Sequence, residues 1–191
     1  MSLRYNVINI ILKSPRTVFN TQSLMMLASA KDSIGLTKSL NYYSKQGAIK
    51  NPRKGLYTKL QYDEKEMACA IFRPSYISLE YVLQRAGVIF QWDEAITSVS
   101  YLNRETFIDG KKYSFRRINP VLWAEMKGVS QEDNIAFATP ERAFLDMVYL
   151  SSGNCFFDNL RPLSLARINE LLPSYRSNVL IKRVKDLMKL K

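Results

Sequence analysis

The sequence contains no histidine, and this absence removes several classes of site at once. A Ser-His-Asp triad and a Cys-His nucleophile pair both need an imidazole, as do most zinc sites. The chain has two cysteines, Cys69 and Cys155, which are too few for a zinc site made of thiolates. Because they lie far apart and not in a CxxC pattern, we expect two buried free thiols in a reducing cytosol.

Phosphate-binding loops and membrane segments are also missing from the sequence. Neither a P-loop pattern, GxxxxGKS or GxxxxGKT, nor the dinucleotide pattern GxGxxG occurs. No apolar run approaches the roughly 18 residues that a membrane-spanning helix needs, and we find no export signal at the N-terminus. We therefore expect a cytoplasmic protein that has no membrane partner, no cofactor and no enzymatic activity.

Carboxylates leave one enzymatic alternative open. They cluster at Asp63-Glu64-Glu66 and at Asp93-Glu94. Oxygen ligands of this kind suit Mg²⁺, so a metal-dependent nuclease stays an alternative, although acids on surface helices and turns are common. We assign no catalytic, metal or cofactor residue.

Charge is distributed unevenly along the chain. Of the net +11, residues 1–60 contribute +9, from ten Lys and Arg against one acid. Residues 61–160 have ten Lys and Arg against fourteen acids, and residues 161–191 have eight against two. A basic block the size of a small domain favours a polyanionic partner such as nucleic acid, because exposed cations attract phosphate.

Residues 1–60 have the pattern of three short helices followed by a hairpin. The helices are predicted over residues 4–13, 22–30 and 33–46, and the hairpin strands over residues 48–50 and 56–60. Thr21 and Ser33 are the expected N-caps, and Gly47 ends the third helix. Leu12 and Leu27 are expected in the buried stripes. This order predicts a winged helix-turn-helix domain over residues 1–60.

The third predicted helix has one apolar and one polar face. Leu36, Leu40 and Tyr43 recur at helical spacing and form the apolar face. The opposite face carries Thr37, Lys38, Asn41, Tyr42 and Lys45. Asn can bond an adenine edge, while Lys holds phosphate or guanine. Such a face suits duplex DNA, and an ordinary solvated helix is the alternative, with Tyr42 packing at the rim of the core.

Two further groups of side chains are predicted to contact DNA. Thr21, Gln22 and Ser23 lie at the start of the second helix, where backbone amides and hydroxyls can bind phosphate. Lys50, Arg53 and Lys54 lie on the hairpin and would contact a flanking backbone or minor groove. A basic module that binds an acidic protein or an RNA is the alternative for the whole region.

Residues 61–191 are predicted to form a mixed α+β domain with a small, mostly antiparallel sheet and C-terminal helices. Strands are expected at residues 95–101, on both sides of an Asp109-Gly110 turn, at 122–126 and at 135–138. Helices are expected at residues 62–72, 79–86, 139–150, 165–172 and 179–190. Ser78 and Thr139 are the expected caps, and Arg142 and Asp146, four residues apart, are expected to pair on a helix surface.

Three stretches follow one another in a defined order. They are Gly47-Ala48-Ile49 with Gly55-Leu56-Tyr57, then residues 75–80 closing at Gly87-Val88-Ile89, then residues 138–146 running into Tyr149-Leu150. In this order and spacing they resemble the AbiEi-type antitoxin family of bacterial type IV toxin–antitoxin systems. The chain departs from the family pattern at Tyr81-Val82, where many members have small residues.

The resemblance implies a transcriptional regulator that binds inverted repeats in its own promoter through an N-terminal winged helix. It also implies a C-terminal domain that counteracts a nucleotidyltransferase-like toxin, often without a stable complex between the two proteins. No catalytic residue transfers from the family. Since many relatives occur without a recognised toxin, a stand-alone regulator is the alternative.

Overall fold

The computed structural model describes residues 3–151 and 155–189 and has a mixed α+β fold. The chain divides into two compact units, Met1–Arg73 and Pro74–Lys191, which we call the N-terminal unit and the C-terminal unit. The domain boundary predicted near Gln61 therefore falls inside the N-terminal unit.

The N-terminal unit combines helices with a three-stranded sheet. Its elements are α1 (Leu3–Lys13), β1 (Val18–Asn20), α2 (Thr21–Leu27), α3 (Ser33–Lys45), β2 (Lys50–Arg53), β3 (Leu56–Thr58) and α4 (Glu64–Ile71). The strands are antiparallel in the order β1-β3-β2. Side chains from α1, α2, α3 and the strands form one buried core, which contains Val7, Ile8, Ile11, Phe19, Leu24, Leu36, Leu40, Ile49 and Tyr57.

The N-caps of α2 and α3 lie one residue before the predicted ones. Asn20 Oδ1 accepts a hydrogen bond from the Ser23 amide at 2.7 Å, and Thr21 already belongs to α2. Asp32, rather than Ser33, accepts from two backbone amides in the first turn of α3, each at 2.9 Å. In both pairs of adjacent polar residues, the earlier one has the extended backbone that an N-cap requires.

Two apolar side chains that were expected inside are exposed. Leu12 is 52% exposed and Leu27 is 48% exposed. Helix α2 ends at Leu27, and Ser29 adopts a left-handed φ of 48° two residues later. The helix is therefore shorter than predicted. Gly47, with a φ of 71°, follows α3 as expected.

Glu66 joins α4 to the N-terminal sheet. Its Oε2 accepts from the amides of Thr17 and Val18 at 2.8 Å each, and from Thr17 Oγ1 at 3.0 Å. Thr17 Oγ1 in turn accepts from the Asp63 amide at 2.9 Å. Because Glu66 is buried, these bonds replace its hydration. They explain why the compact unit continues past the change in composition at residue 61.

The C-terminal unit contains a six-stranded mixed sheet and several helices. Its elements are β4 (Ser75–Ile77), α5 (Glu80–Arg85), β5 (Ile96–Ser100), β6 (Arg104–Ile108), β7 (Lys111–Arg117), α6 (Pro120–Ala124), β8 (Val129–Glu132), β9 (Ile135–Ala138), α7 (Pro140–Leu150), α8 (Leu165–Leu171), a 3-10 helix (Leu172–Tyr175) and α9 (Asn178–Lys189). The strand order is β6-β7-β5-β4-β9-β8. The pairs β5-β7 and β4-β9 are parallel, and the others are antiparallel. The sheet is thus larger and more mixed than predicted.

Three elements of this unit differ from the sequence prediction. The prediction of a strand at residues 122–126 is wrong, because helix α6 covers most of that stretch. Asn119 caps it by accepting from the Val121 amide at 3.0 Å, and Pro120 occupies its first turn. Strands β4 and β8 were not predicted. All three residues of β4 are buried, so the strand lacks the alternation that marks a half-buried strand.

The expected cap Ser78 has a different role. Its hydroxyl donates to Asp146 Oδ2 at 2.8 Å, and Thr97 Oγ1 instead accepts from the Tyr81 amide in the first turn of α5, at 2.9 Å. Leu79, directly before the helix, has a φ of 60°, which is unusual for a non-glycine residue. By contrast, Thr139 caps α7 as predicted, through its Oγ1 and the Arg142 amide at 3.3 Å.

The Arg142–Asp146 pair lies inside the C-terminal unit, so the prediction of a surface pair is wrong. Both side chains are buried, and Arg142 Nε donates to Asp146 Oδ1 at 3.1 Å. The same carboxylate accepts from the hydroxyls of Tyr76 at 2.9 Å, Ser78 at 2.8 Å and Tyr175 at 2.6 Å. We call these five side chains the buried network. Four donors satisfy its one carboxylate, which is what a buried charge requires.

The guanidinium of Arg142 is satisfied as well. It donates to the Tyr76 hydroxyl at 3.0 Å and to backbone carbonyls of Leu122, Glu125 and Lys127 at 2.9 to 3.1 Å. Burial disfavours the charged form of the guanidinium and so acts to lower its pKa. Asp146 and the two tyrosines outweigh this effect and hold the pKa above the ordinary value. Burial also raises the pKa of Tyr76 and of Tyr175 above that of a free tyrosine.

Both cysteines are free thiols, but only one of them is buried as expected. Cys69 is buried, whereas Cys155 is half-buried. Among residues 3–151 and 155–189, no helix has both the length and the apolar character needed to cross a bilayer.

Candidate nucleic-acid interface

The polar face of α3 lies at the surface of the N-terminal unit. Lys38, Asn41 and Lys45 are exposed, and Tyr42 is 47% exposed. The two lysines make no ion pair with any residue in the described part of the chain. Neighbouring positions at three- and four-residue spacing share one side of a helix, so the structure brings these side chains together. Both cations are available to an external anion.

Two side chains on this face are held by bonds within the protein. Asn41 Oδ1 accepts from the Tyr57 hydroxyl at 3.1 Å, and burial raises the pKa of Tyr57. This bond fixes the carboxamide, and the second lone pair of Oδ1 and the Nδ2 amide keep their bonding capacity. Thr37 Oγ1 donates to the Ser33 carbonyl at 2.8 Å, so its hydroxyl is partly committed to the helix.

The hairpin between β2 and β3 presents its cations differently. Lys54 is exposed at the two-residue turn. Arg53 is half-buried, with its guanidinium 4.6 Å from the ring centroid of Phe72, and Lys50 Nζ is 5.7 Å from the ring of Tyr62. Since a cation over an aromatic ring is already stabilised, Lys54 is the hairpin cation most available to a partner.

The start of α2 lies beside the hairpin turn. The Thr21 amide and hydroxyl both donate to the Gly55 carbonyl, at 3.1 and 3.3 Å. The Ser23 hydroxyl donates to the Asn20 carbonyl at 2.9 Å, and its amide is used by the cap. Most donors predicted here for phosphate are therefore used within the protein. Gln22 is exposed and retains its side chain for external contact.

The N-terminal unit has far more cations than acids, and three of its four acids have structural roles. Met1–Arg73 contains twelve Lys and Arg against four acids. Asp32 and Asp63 are helix caps, and Glu66 is buried against β1. These three carboxylates stabilise local structure, and the excess of eight cations leaves the unit with a net positive charge.

The carboxylate clusters considered for a metal also have structural roles. Asp63 Oδ1 accepts from the Lys65 amide at 2.7 Å, and Asp93 Oδ1 accepts from the Ala95 amide at 2.8 Å. Within residues 3–151 and 155–189, no three Cys, Asp or Glu side chains are grouped so that they could hold a metal ion.

A cavity in the C-terminal unit was not indicated by any sequence motif. Its volume is about 550 Å³, and it is lined by Glu80, Gln84, Ile89, Gln91, Asp93, Met147, Cys155, Phe156 and Asp158. The described lining is acidic and lacks cations, so it does not suit a nucleic-acid backbone. These residues come from separate stretches of the chain, which is why spacing alone could not group them.

The chain matches no protein-family model and no curated protein. Among solved structures, it is similar to the crystal structure of the RV2827C protein from Mycobacterium tuberculosis, with 13% identity and a TM-score of 0.46. The match covers 95% of this chain and 76% of that chain. A likeness of this degree carries no argument about the function of the chain.

Proposed function

We propose that the protein is a transcriptional regulator that binds duplex DNA through a winged helix-turn-helix in its N-terminal unit. One observation carries the proposal: the exposed cationic face of α3, with Lys38, Asn41 and Lys45, lies in the same unit as an exposed Lys54 on a tight hairpin. A recognition helix followed by a basic wing is how this class of domain contacts DNA.

The proposed contacts divide into base-reading and positioning contacts. Asn41, oriented by Tyr57, bonds base edges in the major groove, and Lys38 and Lys45 bond guanine or flanking phosphates. Lys54 contacts the DNA backbone beyond the groove. Supporting contacts to the DNA come from Lys50, Arg53, Thr37, Tyr42, Thr21, Gln22 and Ser23. Gln22 is the side chain at the start of α2 that reaches phosphate.

We further propose that the C-terminal unit acts as an antitoxin against a nucleotidyltransferase-like toxin, without a stable complex, in the cytoplasm. The resemblance to the AbiEi-type family supports this part. Two of the three stretches that carry it, residues 75–80 and 138–146, contribute to one buried network, so they specify the fold of this unit. Co-expression with a toxic neighbouring gene tests it: rescue of growth is expected, and continued toxicity would contradict it.

The principal test uses a duplex from the upstream region of the gene and random DNA as competitor. We expect the upstream duplex to compete far better. The variant Lys38→Ala/Lys45→Ala should bind more weakly, and the slope of its log affinity against log salt should be shallower by about 1 for each phosphate that a replaced lysine had neutralised. The measurement is fluorescence anisotropy across a salt series.

A matched control removes two cations from the other unit. Lys182→Ala/Lys185→Ala changes two lysines of α9 and alters the net charge equally. It should bind the upstream duplex like the wild type. Equal competition by random DNA, or equal weakening in the two double variants, would favour the alternative of a basic module for RNA or an acidic protein.

A further inference from the structure

An aliphatic side chain lies on the polar face of α3, in the first turn of the helix. Ile34 is 66% exposed. It precedes Lys38, Asn41 and Lys45 by four, seven and eleven residues, which places it on the same side of the helix. The apolar stripe of α3, with Leu36 and Leu40, belongs to the core. Ile34 is therefore an apolar group among the side chains that are proposed to contact DNA.

The position of Ile34 is fixed by the cap of α3. Its amide donates to Asp32 Oδ1 at 2.9 Å, and the Gly35 amide donates to Oδ2 of the same carboxylate at 2.9 Å. A Cβ on Gly35 would lie 2.5 Å from Asp32 Oδ2, so glycine permits this close cap. The cap sets where the helix begins and holds the backbone of Ile34 in its first turn.

Folding of the unit does not explain an isoleucine at this position. A side chain that is two-thirds exposed contributes little burial, and a β-branched residue has a lower helix propensity than alanine. Single exposed apolar residues are common on protein surfaces. This one, however, lies one turn from Lys38 on the face that is proposed to enter a groove.

We propose that Ile34 reads thymine by contacting its C5-methyl group in the major groove, an inference that rests on the proposed function. The thymine methyl is an apolar group on the base edges of that groove, and apolar side chains contact it there. Ile34 and Asn41 are seven residues apart, about 10 Å along the helix. They therefore reach different base pairs: Ile34 contacts a thymine methyl and Asn41 bonds a base edge.

The test is a cycle between the side chain and the methyl group. The upstream duplex is prepared with thymine or with uracil, which lacks only the methyl, and the dissociation constant is measured for the wild type and Ile34→Ala. The wild type should bind the uracil duplex about fourfold more weakly for each methyl contacted, the value expected for one buried methyl group. In Ile34→Ala this preference should disappear.

Leu12→Ala is the control variant, since Leu12 is a similarly exposed aliphatic residue on α1. It should keep the preference of the wild type, which shows that loss of the preference is specific to the Ile34 side chain. An effect of uracil on DNA shape would instead persist in Ile34→Ala. Ile34→Ala should fold, because alanine favours a helix at an exposed position. A thymine preference that persists in Ile34→Ala, or is absent in the wild type, would overturn this inference alone. Failure of the wild type to bind the upstream duplex would overturn the proposed function as well.

Discussion

Each unit has a pair of charged side chains on one helix, and the two pairs are placed in opposite ways. In the N-terminal unit Lys38 and Lys45 are at the surface, whereas in the C-terminal unit Arg142 and Asp146 are buried. Each pair lies on a helix at a spacing that suggests a solvated surface. Spacing thus indicates which residues share a side of a helix, and the residues that this side packs against decide whether it is buried.

Buried carboxylates occur in both units, with different partners. Glu66 in the N-terminal unit is satisfied mainly by backbone amides of a neighbouring strand segment. Asp146 in the C-terminal unit is satisfied by side chains from β4, from the 3-10 helix and from α7 itself. The second arrangement depends on more elements being in place. We therefore expect the C-terminal unit to be the more sensitive to a single change.

The largest effect is expected from Asp146→Ala. Removing the carboxylate leaves the buried guanidinium of Arg142 without its counter-charge, which costs about 3–5 kcal/mol of unfolding free energy. Both tryptophans of the chain, Trp92 and Trp123, lie in the C-terminal unit. Urea unfolding followed by tryptophan fluorescence therefore measures this unit.

An exposed ion pair provides the control for that variant. Glu105 Oε1 and Lys112 Nζ are 2.8 Å apart on β6 and β7, and both side chains are substantially exposed. Exposed pairs contribute little, so Glu105→Ala should shift the urea midpoint only slightly. A similar shift of the urea midpoint in the two variants would mean that burial does not increase the contribution of the Arg142–Asp146 pair to stability.

A smaller effect is expected from alkaline pH. Burial raises the pKa of Tyr76 and Tyr175 above the ordinary value of 10.0, so the folded unit keeps protons that the unfolded chain releases. Their stabilisation is complete below pH 10 and falls as pH rises, by about 1.4 kcal/mol per pH unit for each tyrosine. Tyrosine-to-phenylalanine variants at either position should flatten the fall, measured by urea unfolding between pH 9 and 11 (roughly the range in which the unfolded tyrosines titrate). An unchanged slope of stability against pH in both variants would contradict the assignment of this pH dependence to Tyr76 and Tyr175.

Much of the fold could be predicted from local patterns. The helices of the N-terminal unit, its hairpin, the Asp109-Gly110 turn and the Thr139 cap depend on neighbours in sequence, and the structure has them. The short strand β4 could not be predicted, because it pairs with strands that are distant in sequence. Strand β8 pairs with the next strand, β9, across a two-residue turn, but its mostly exposed residues lack the apolar alternation that marks a half-buried strand. The stretch at residues 122–126 contains apolar residues that suit either state, and the Asn119-Pro120 start decides for a helix.

The candidate interface could be predicted only in outline. Exposure of Lys38, Asn41 and Lys45 agrees with the helical pattern. The bond from Tyr57 to Asn41 and the stacking of Arg53 on Phe72 join residues that are distant in sequence, so no local pattern contained them. The roles of these side chains in DNA binding stay predictions.

The smallest effect is expected from removing the N-cap of α3, and it tests which residue that cap is. Asp32→Ala removes the acceptor for two backbone amides and should cost about 1 kcal/mol, the usual value for an N-cap. Ser33→Ala, one residue later, should cost much less, because the cap of α3 in the structure is Asp32. Hydrogen exchange gives a direct measurement: the amides of Ile34 and Gly35 should exchange faster in Asp32→Ala and be unchanged in Ser33→Ala. Faster exchange in Ser33→Ala alone would show that Ser33 is the N-cap, as the sequence suggested. The start of α3 would then move, and with it the position of Ile34 on the exposed face of the helix.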